Sequence, residues 1–116
     1  LDIDFRAGVI EALPFPDSTL DVVTSSLMMH QLPDELKVRG LREIYRALKP
    51  GGRLLIADFM RPTSSLVNHL FLAVTHHRGL KYGIEDVRQL LNDAGFSDVT
   101  QPDGNILFIG FVRATK

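Results

Sequence analysis

Between Arg53 and Phe59 the chain reads Arg-Leu-Leu-Ile-Ala-Asp-Phe, apolar almost without interruption until Asp58. A short continuous run of this kind is expected to be a strand covered on both faces, as in a parallel sheet. A parallel strand needs a crossover, and the preceding segment supplies one. Leu41, Ile44, Tyr45 and Leu48 recur at i, i+3, i+4 and i+7, one apolar helical stripe. Pro33 suits the first turn, where Asp34 and Glu35 complement the helix dipole, and Glu35 with Arg39 makes an i,i+4 pair. The helix is expected to end at Lys49, because Pro50 disfavours continuation and Gly51-Gly52 allows a sharp turn. On its other side Leu20–Ser26, β-branched at its centre, predicts a second strand.

The rest of the chain extends this alternation. Ile3–Val9 has a weak period-2 pattern and is expected to be a strand, followed by a connection that Pro14 and Pro16 hold extended. A helix is expected from Ser64 to Arg78, stopping at Gly79, with Val67, Leu70, Phe71 and Val74 on one face. Another is expected from Ile84 to Ala94, with Ile84, Val87, Leu90, Leu91 and Ala94 inward. Gly95 suits its C′ position and Phe96 the contact back to Leu91. Ser97–Gln101 and Ile106–Arg113, joined by a tight turn at Pro102–Asn105, predict two antiparallel strands. The fold class is therefore α/β: a Rossmann-like, doubly wound, mostly parallel sheet that ends in an antiparallel hairpin.

The 116 residues suit one domain with one core. With 13 Lys+Arg against 14 Asp+Glu, no basic field points to nucleic acid. There are no cysteines, which fits a reducing, cytoplasmic setting and excludes disulfides and thiolate chemistry. No apolar run is long enough to span a bilayer, and the opening Leu1-Asp2-Ile3-Asp4 does not read as a signal peptide.

Three segments then match one family pattern in order and spacing. They are Glu11-Ala-Leu-Pro-Phe-Pro-Asp-Ser-Thr-Leu-Asp-Val-Val, Leu41-Arg-Glu-Ile-Tyr-Arg-Ala-Leu-Lys-Pro-Gly-Gly-Arg-Leu-Leu-Ile-Ala-Asp-Phe, and the Gly95-Phe96 step before the final hairpin. Together they resemble the class I S-adenosylmethionine-dependent methyltransferases, in particular the ubiquinone/menaquinone-biosynthesis C-methylating group. The resemblance implies strand order 3-2-1-4-5-7-6, with Ile3–Val9 as the third strand, Leu20–Ser26 the fourth and Arg53–Phe59 the fifth. Ser97–Gln101 and Ile106–Arg113 would be the sixth and seventh. It also implies a glycine-rich turn and a ribose-binding carboxylate, which these residues lack. Gly51-Gly52 lies between a helix and a strand, the wrong context for a cofactor cradle. The chain thus reads as the carboxy-terminal part of one domain, lacking the first βαβ unit.

By the same resemblance Val9, Ile10 and Glu11 stand where the family meets adenine, with Val9 in place of an Asp; the bland alternative is ordinary core. Ser25, Ser26 and Leu27 lie at the carboxyl end of the fourth strand, where the family lines the methionine portion of its cofactor. The alternative is that the serines only end the strand. His30, just beyond, would orient or deprotonate a nucleophile, with Met28-Met29 as a soft wall, or is simply a loop histidine. Asp58 would contact substrate or cap a turn, and Arg61 and Arg78 are simplest as solvated charges. His69, His76 and His77 lack the helical i, i+4 spacing and carboxylate of a metal site, so no metal is expected. The expected activity is methyl transfer from S-adenosylmethionine to a small-molecule acceptor; the alternative is a non-catalytic module that binds another chain. A nicotinamide-dependent enzyme fits less well, because the antiparallel ending favours methyltransferases. Without a first strand beside it, Leu20–Thr24 would leave an open edge, and the chain is expected to form a homo-oligomer unless an amino-terminal half completes the sheet.

Overall fold

A computed structural model of the chain describes residues 1–61, 64–75 and 82–116. In chain order it contains β1 (Leu20–Ser26), α1 (Asp34–Ala47), β2 (Leu48–Phe59), α2 (Ser65–Thr75), α3 (Ile84–Asp93), β3 (Ser97–Thr100) and β4 (Ile109–Thr115), with one 3₁₀ turn at Met29–Gln31. The strands form one sheet in the order β1-β2-β4-β3. β1 runs parallel to β2, and β4 runs antiparallel to both β2 and β3. This is the 4-5-7-6 part of the expected order. One pair is parallel and two are antiparallel, so these four strands make a mixed sheet.

Helix α1 starts one residue after the expected position, with Pro33 as its N-cap at ψ 151. It also ends earlier, at Ala47: Leu48 is already extended, and its N–H closes the last turn on the Ile44 carbonyl. Its described first-turn ion pair is Asp34–Lys37 at 2.9 Å, and no Glu35–Arg39 pair is found among the described residues. Pairing then runs from Leu20↔Leu48 to Val22↔Arg53, an irregularity that accommodates Lys49-Pro50-Gly51-Gly52 within β2. Gly40 is required on α1 for a steric reason: a Cβ there would lie 2.6 Å from Ile10 Cγ1. Helix α3 ends as expected. Gly95 adopts φ +100, the Gly95 N–H bonds the Asn92 carbonyl, and the Phe96 N–H bonds the Leu91 carbonyl at 3.0 Å. Phe96 is buried, with its ring edge-on to Tyr45 at 5.1 Å between centroids.

The core lies on one side of the sheet. Leu54, Ile56, Val112 and Ala114 point inward to Leu41 and Ile44 of α1 and to Ile84, Val87 and Leu91 of α3. These two helices touch each other. The expectation that the Arg53–Phe59 strand is covered on both faces is therefore corrected. Burial alternates along β2, and the outward side chains Val22 and Leu55 are 52% and 38% exposed. Helix α1 is the crossover between the parallel strands β1 and β2, and α3 packs beside it.

Three further expectations change. Ile3–Val9 is not a strand: among the described residues no strand precedes β1, Phe5 is 92% exposed, and the pairing found for the segment is an isolated bridge between Val9 and Ala12. A strand exists by pairing, and no described strand pairs with this segment. The connection Gln101–Phe108 is longer than a tight turn, because β4 starts at Ile109 and an Ile106↔Ile109 bridge precedes it. Helix α2 begins at Ser65, one residue after the expected start, and leaves Leu70 and Val74 exposed and Val67 half-buried. The side chain of Phe71, the stop at Gly79, and Arg78, His76 and His77 lie outside the described residues. Among the described residues no helix is long and apolar enough to cross a membrane.

Candidate functional site at the carboxyl ends of β1 and β2

The parallel register carries two neighbouring strands to the same end of the sheet, with Ser25 opposite Ile56 and Ser26 opposite Ala57. Ser25 points to the core side, and its Oγ is buried with no hydrogen-bond partner among the described residues. Such an orphan costs on the order of 1–3 kcal/mol, which is rarely tolerated without a reason. Ser26 is exposed. Leu27 then takes φ +52, a left-handed conformation that costs a non-glycine residue roughly 1–2 kcal/mol. Its N–H is held by the Ala57 carbonyl at 2.8 Å.

Two clefts meet here. One, of about 290 Å³, runs along the unpaired edge of β1 and is lined by Ile10, Leu13, Val23, Ser25, Ser26 and Met28. The other, of about 610 Å³, is lined by Phe5, Val9, Ile10, Leu13, Phe15 and Met28, among others. The structure thus brings together Val9, Ile10, Ser25 and Ser26 of the expected cofactor residues. Glu11, half-buried, and Leu27 line neither cleft. The expected pair of wall methionines is split: Met28 lines both clefts, while Met29 is fully buried in the core.

His30 stands apart from both clefts and is bound to the end of β2. Its Nδ1 lies 2.7 Å from Asp58 Oδ1, and its backbone N–H donates to Asp58 Oδ2 at 3.1 Å. The two side chains are 5% and 0% exposed. Asp58 Oδ1 also accepts the Phe59 N–H at 2.8 Å, and the Phe59 ring meets the imidazole edge-on at 4.7 Å. A carboxylate on Nδ1 puts the imidazole proton there and the basic lone pair on Nε2. Tyr82 packs against the same core, and its Oη is likewise buried without a partner among the described residues. The Lys37 ammonium sits 4.0 Å from the centroid of its ring. Burial, and then the charges of Asp58, Asp86 and Glu85, push the Tyr82 phenol well above its ordinary value.

The segment carrying Val9 to Phe15 is fastened to α1 by residues that sequence reasoning passed over. The Leu13 N–H donates to Glu43 Oε2 at 3.0 Å, and Arg46 binds Glu43 at 2.8 Å and Asp17 at 2.6 Å. The Ser18 and Thr19 N–H groups take the carbonyls of Arg46 and Ala47, the last turn of α1. The Arg46 hydrogen bond is the largest cause holding the Glu43 carboxyl below its ordinary value, with the Leu13 N–H and the Arg46 charge adding to it against a desolvation penalty. The visible signal was the i,i+3 spacing of Glu43 and Arg46 on α1; Asp17 and Leu13 are about 30 residues away in sequence and gave none. His69 is exposed, with its Nδ1 2.8 Å from the Ser65 carbonyl oxygen. No cluster able to hold a metal exists among the described residues.

The family profile described as "Methyltransferase domain" matches residues 1–56. The ubiquinone/menaquinone biosynthesis C-methyltransferase UbiE of Cronobacter sakazakii is 32% identical over 120 residues, covering 84% of this chain and 47% of that protein. The chain thus spans about half the length of this curated relative. Among solved structures, human N-acetylserotonin methyltransferase in complex with SAM superposes with a TM-score of 0.75 at 23% identity, over 97% of this chain and 33% of that one. A SAM-dependent methyltransferase from Aquifex aeolicus gives a TM-score of 0.73 at 21% identity, over 97% of this chain and 54% of that one.

The cofactor of these proteins fits the residues present. Ile10, Leu13 and Met28 offer apolar walls suited to an adenine face, and the orphaned Ser25 Oγ offers a hydrogen bond that nothing among the described residues uses. A strand paired with the free edge of β1 would fill the cleft along Leu20–Thr24 and leave its carboxyl end open.

Proposed function

We propose, from the premise that this chain has the sequence and fold of the class I S-adenosylmethionine-dependent methyltransferases, that the complete protein methylates a small-molecule acceptor. The observation that carries the reading is the buried, unpartnered Ser25 Oγ at the carboxyl end of β1, the side on which open α/β sheets take ligands. S-adenosylmethionine, when bound, supplies a methyl carbon already activated by its sulfonium. The protein's share is then alignment and exclusion of water. Ile10 and Met28, with Val9 at the rim, pack on the adenine; Ser25 and Ser26, followed by Leu27, line the methionine side, and Glu11 borders the adenine loop. His30, just beyond the strand end and outside both clefts, is the candidate to orient or deprotonate the acceptor. The near-neutral charge and the absence of cysteine support a small acceptor and a cytoplasmic setting.

Titration calorimetry with S-adenosylmethionine tests the reading on the longer native protein that contains this chain. Binding is expected there, and its absence would sink the proposal. The 116-residue chain alone is expected to be inactive and to bind weakly, so micromolar affinity in it would overturn the view that absent elements hold the ribose and methionine. His30→Ala should lower turnover more than cofactor affinity; equal loss in both, or none, removes His30 from the mechanism. The second reading, a non-catalytic module that pairs with another chain, is favoured by the uncovered sheet face around Val22 and Leu55. The same titration separates the two.

A further inference from the structure

We propose that one face of α1 is the positioning element of the cofactor site: Gly40, Glu43 and Arg46 set where residues 9–15 stand, and through them the affinity for the adenosine half of S-adenosylmethionine. The inference rests on the reading under which Ile10 and Met28 pack on the adenine. Gly40, Glu43 and Arg46 recur at i, i+3 and i+6 on α1, beside the inward stripe of Leu41 and Ile44. Residues 9–15 are seated on that face at two points. At the first, Ile10 lies so close to Gly40 that a Cβ there would come within 2.6 Å of Ile10 Cγ1. At the second, Leu13 is gripped through both of its backbone groups. Its N–H donates to Glu43 Oε2 at 3.0 Å, and its carbonyl accepts from Arg46 Nη2 at 3.4 Å. Arg46 also binds both oxygens of Glu43, at 2.8 and 2.9 Å, so the carboxylate cannot turn away from Leu13 without losing a two-bond contact.

The two seated residues are also two of the residues that line both clefts, Ile10 and Leu13. No charged side chain lines the cleft along β1, so a flat apolar ring is held there by shape and not by a directed ion pair. A fit by shape depends on where the walls stand. Residues 9–15 have little regular structure to fix them: their own bonds are the Val9–Ala12 bridge and the Phe15 N–H on the Leu13 carbonyl at 2.8 Å. Released from α1, they would occupy the binding-competent position for only a fraction of the time, and the observed affinity falls by that fraction. An ion pair that served α1 alone would need no third partner. Glu43 instead directs one oxygen to a backbone N–H 30 residues away, and Arg46 reaches on to Asp17 at 2.6 Å, beyond the far end of the same segment.

The test is titration calorimetry on the longer native protein that contains this chain, with a melting curve for each variant. Two ligands are used: S-adenosylmethionine, and 5′-methylthioadenosine, which carries the adenosine and lacks the amino-acid end. Glu43→Ala is expected to weaken both by the same factor, roughly ten-fold, the scale of a hydrogen bond to a charged group. Glu43→Gln keeps an oxygen for the Leu13 N–H and should recover part of that loss; no recovery at all overturns the role given to Leu13. Gly40→Ala separates placement from stability. Alanine favours a helix over glycine, and the Ile10 side chain it displaces is only half-buried, so the protein should melt no lower while both ligands bind several-fold more weakly. A folded Gly40→Ala protein with unchanged affinity overturns the inference, and it does so even where Glu43→Ala fails to fold. So does a loss in Glu43→Ala that is seen with S-adenosylmethionine and not with 5′-methylthioadenosine. A wild-type protein that binds neither ligand would instead refute the reading of the cofactor site itself, so the two failures are distinguishable.

Discussion

Ser25 Oγ and Tyr82 Oη are the buried side-chain oxygens that, among the described residues, find no hydrogen-bond partner, and each makes a test possible. Removing an unused buried hydroxyl should stabilise the apo protein, by about 1 kcal/mol, since the orphan's desolvation penalty disappears with it. For Ser25→Ala that gain should come with roughly five-fold weaker S-adenosylmethionine binding, the scale of one neutral hydrogen bond; calorimetry and a melting curve on the longer protein read both. Unchanged affinity would reduce Ser25 to a strand end. Tyr82→Phe should likewise raise stability by about 1 kcal/mol. The phenol is pushed up first by burial and then by the Asp58 charge, so Oη keeps its proton, and a loss of stability in the variant would show that it has found an acceptor. At this scale the sequence allowed Ser25 and His30 to be singled out, because the strand Leu20–Ser26 has a readable end. Asp58 was not readable as a partner of His30. It lies 28 residues from His30 and reaches it only through the β1–β2 register.

Elements were more legible where they carry their own signals. Helix α3 announced its end through Gly95, confirmed by its φ of +100, and α1 its inner face through Leu41 and Ile44, confirmed by burial. Ile3–Val9 failed because period-2 patterning states a preference for pairing without supplying a partner. The run Arg53–Phe59 misled for a related reason: apolarity on both sides of a strand says what should cover it, and Leu55 remains 38% exposed. The connection after Val9 shows how an element is held without regular structure of its own, through Glu43 and Arg46 of α1. This attachment is pH-sensitive with a definite sign. Because the folded Glu43 carboxyl lies below its ordinary value of 4.5, its contribution is fully present above that value and is lost as pH falls through the lower folded one. Glu43→Gln should therefore lower stability at neutral pH and flatten the loss as pH falls below 4.5. Parallel melting curves of wild type and variant across that range would contradict the assignment.

The molecule as a whole leaves two surfaces that an isolated chain can satisfy only by association. β1 pairs on one side alone, so its outer edge presents unpaired backbone groups to solvent. The sheet face opposite the core shows Val22 and Leu55, and Phe111 and Ile109 of β4 share it by register, only half-buried. An unprotected edge bordered by an apolar face recruits a further strand or aggregates, since nothing such as an inward charge or proline blunts it within Leu20–Ser26. The charge at Asp21 is the one exception in that strand, and it is already engaged by Lys49 at 3.0 Å. Leu66, Leu70 and Val74 of α2 add a second exposed apolar stripe, but helices do not extend a sheet, so the edge should decide the geometry. We expect the 116-residue chain, prepared alone, to be dimeric or larger, with β1 at the contact. The longer native protein, if its additional residues pair with β1 and cover Val22 and Leu55, should lose that tendency. Light scattering on both preparations checks this, and a lysine in place of Val22 should shift the short chain toward monomer without unfolding it. A well-folded monomer of the short chain at high concentration would show that the edge is protected by some other means and would withdraw the prediction.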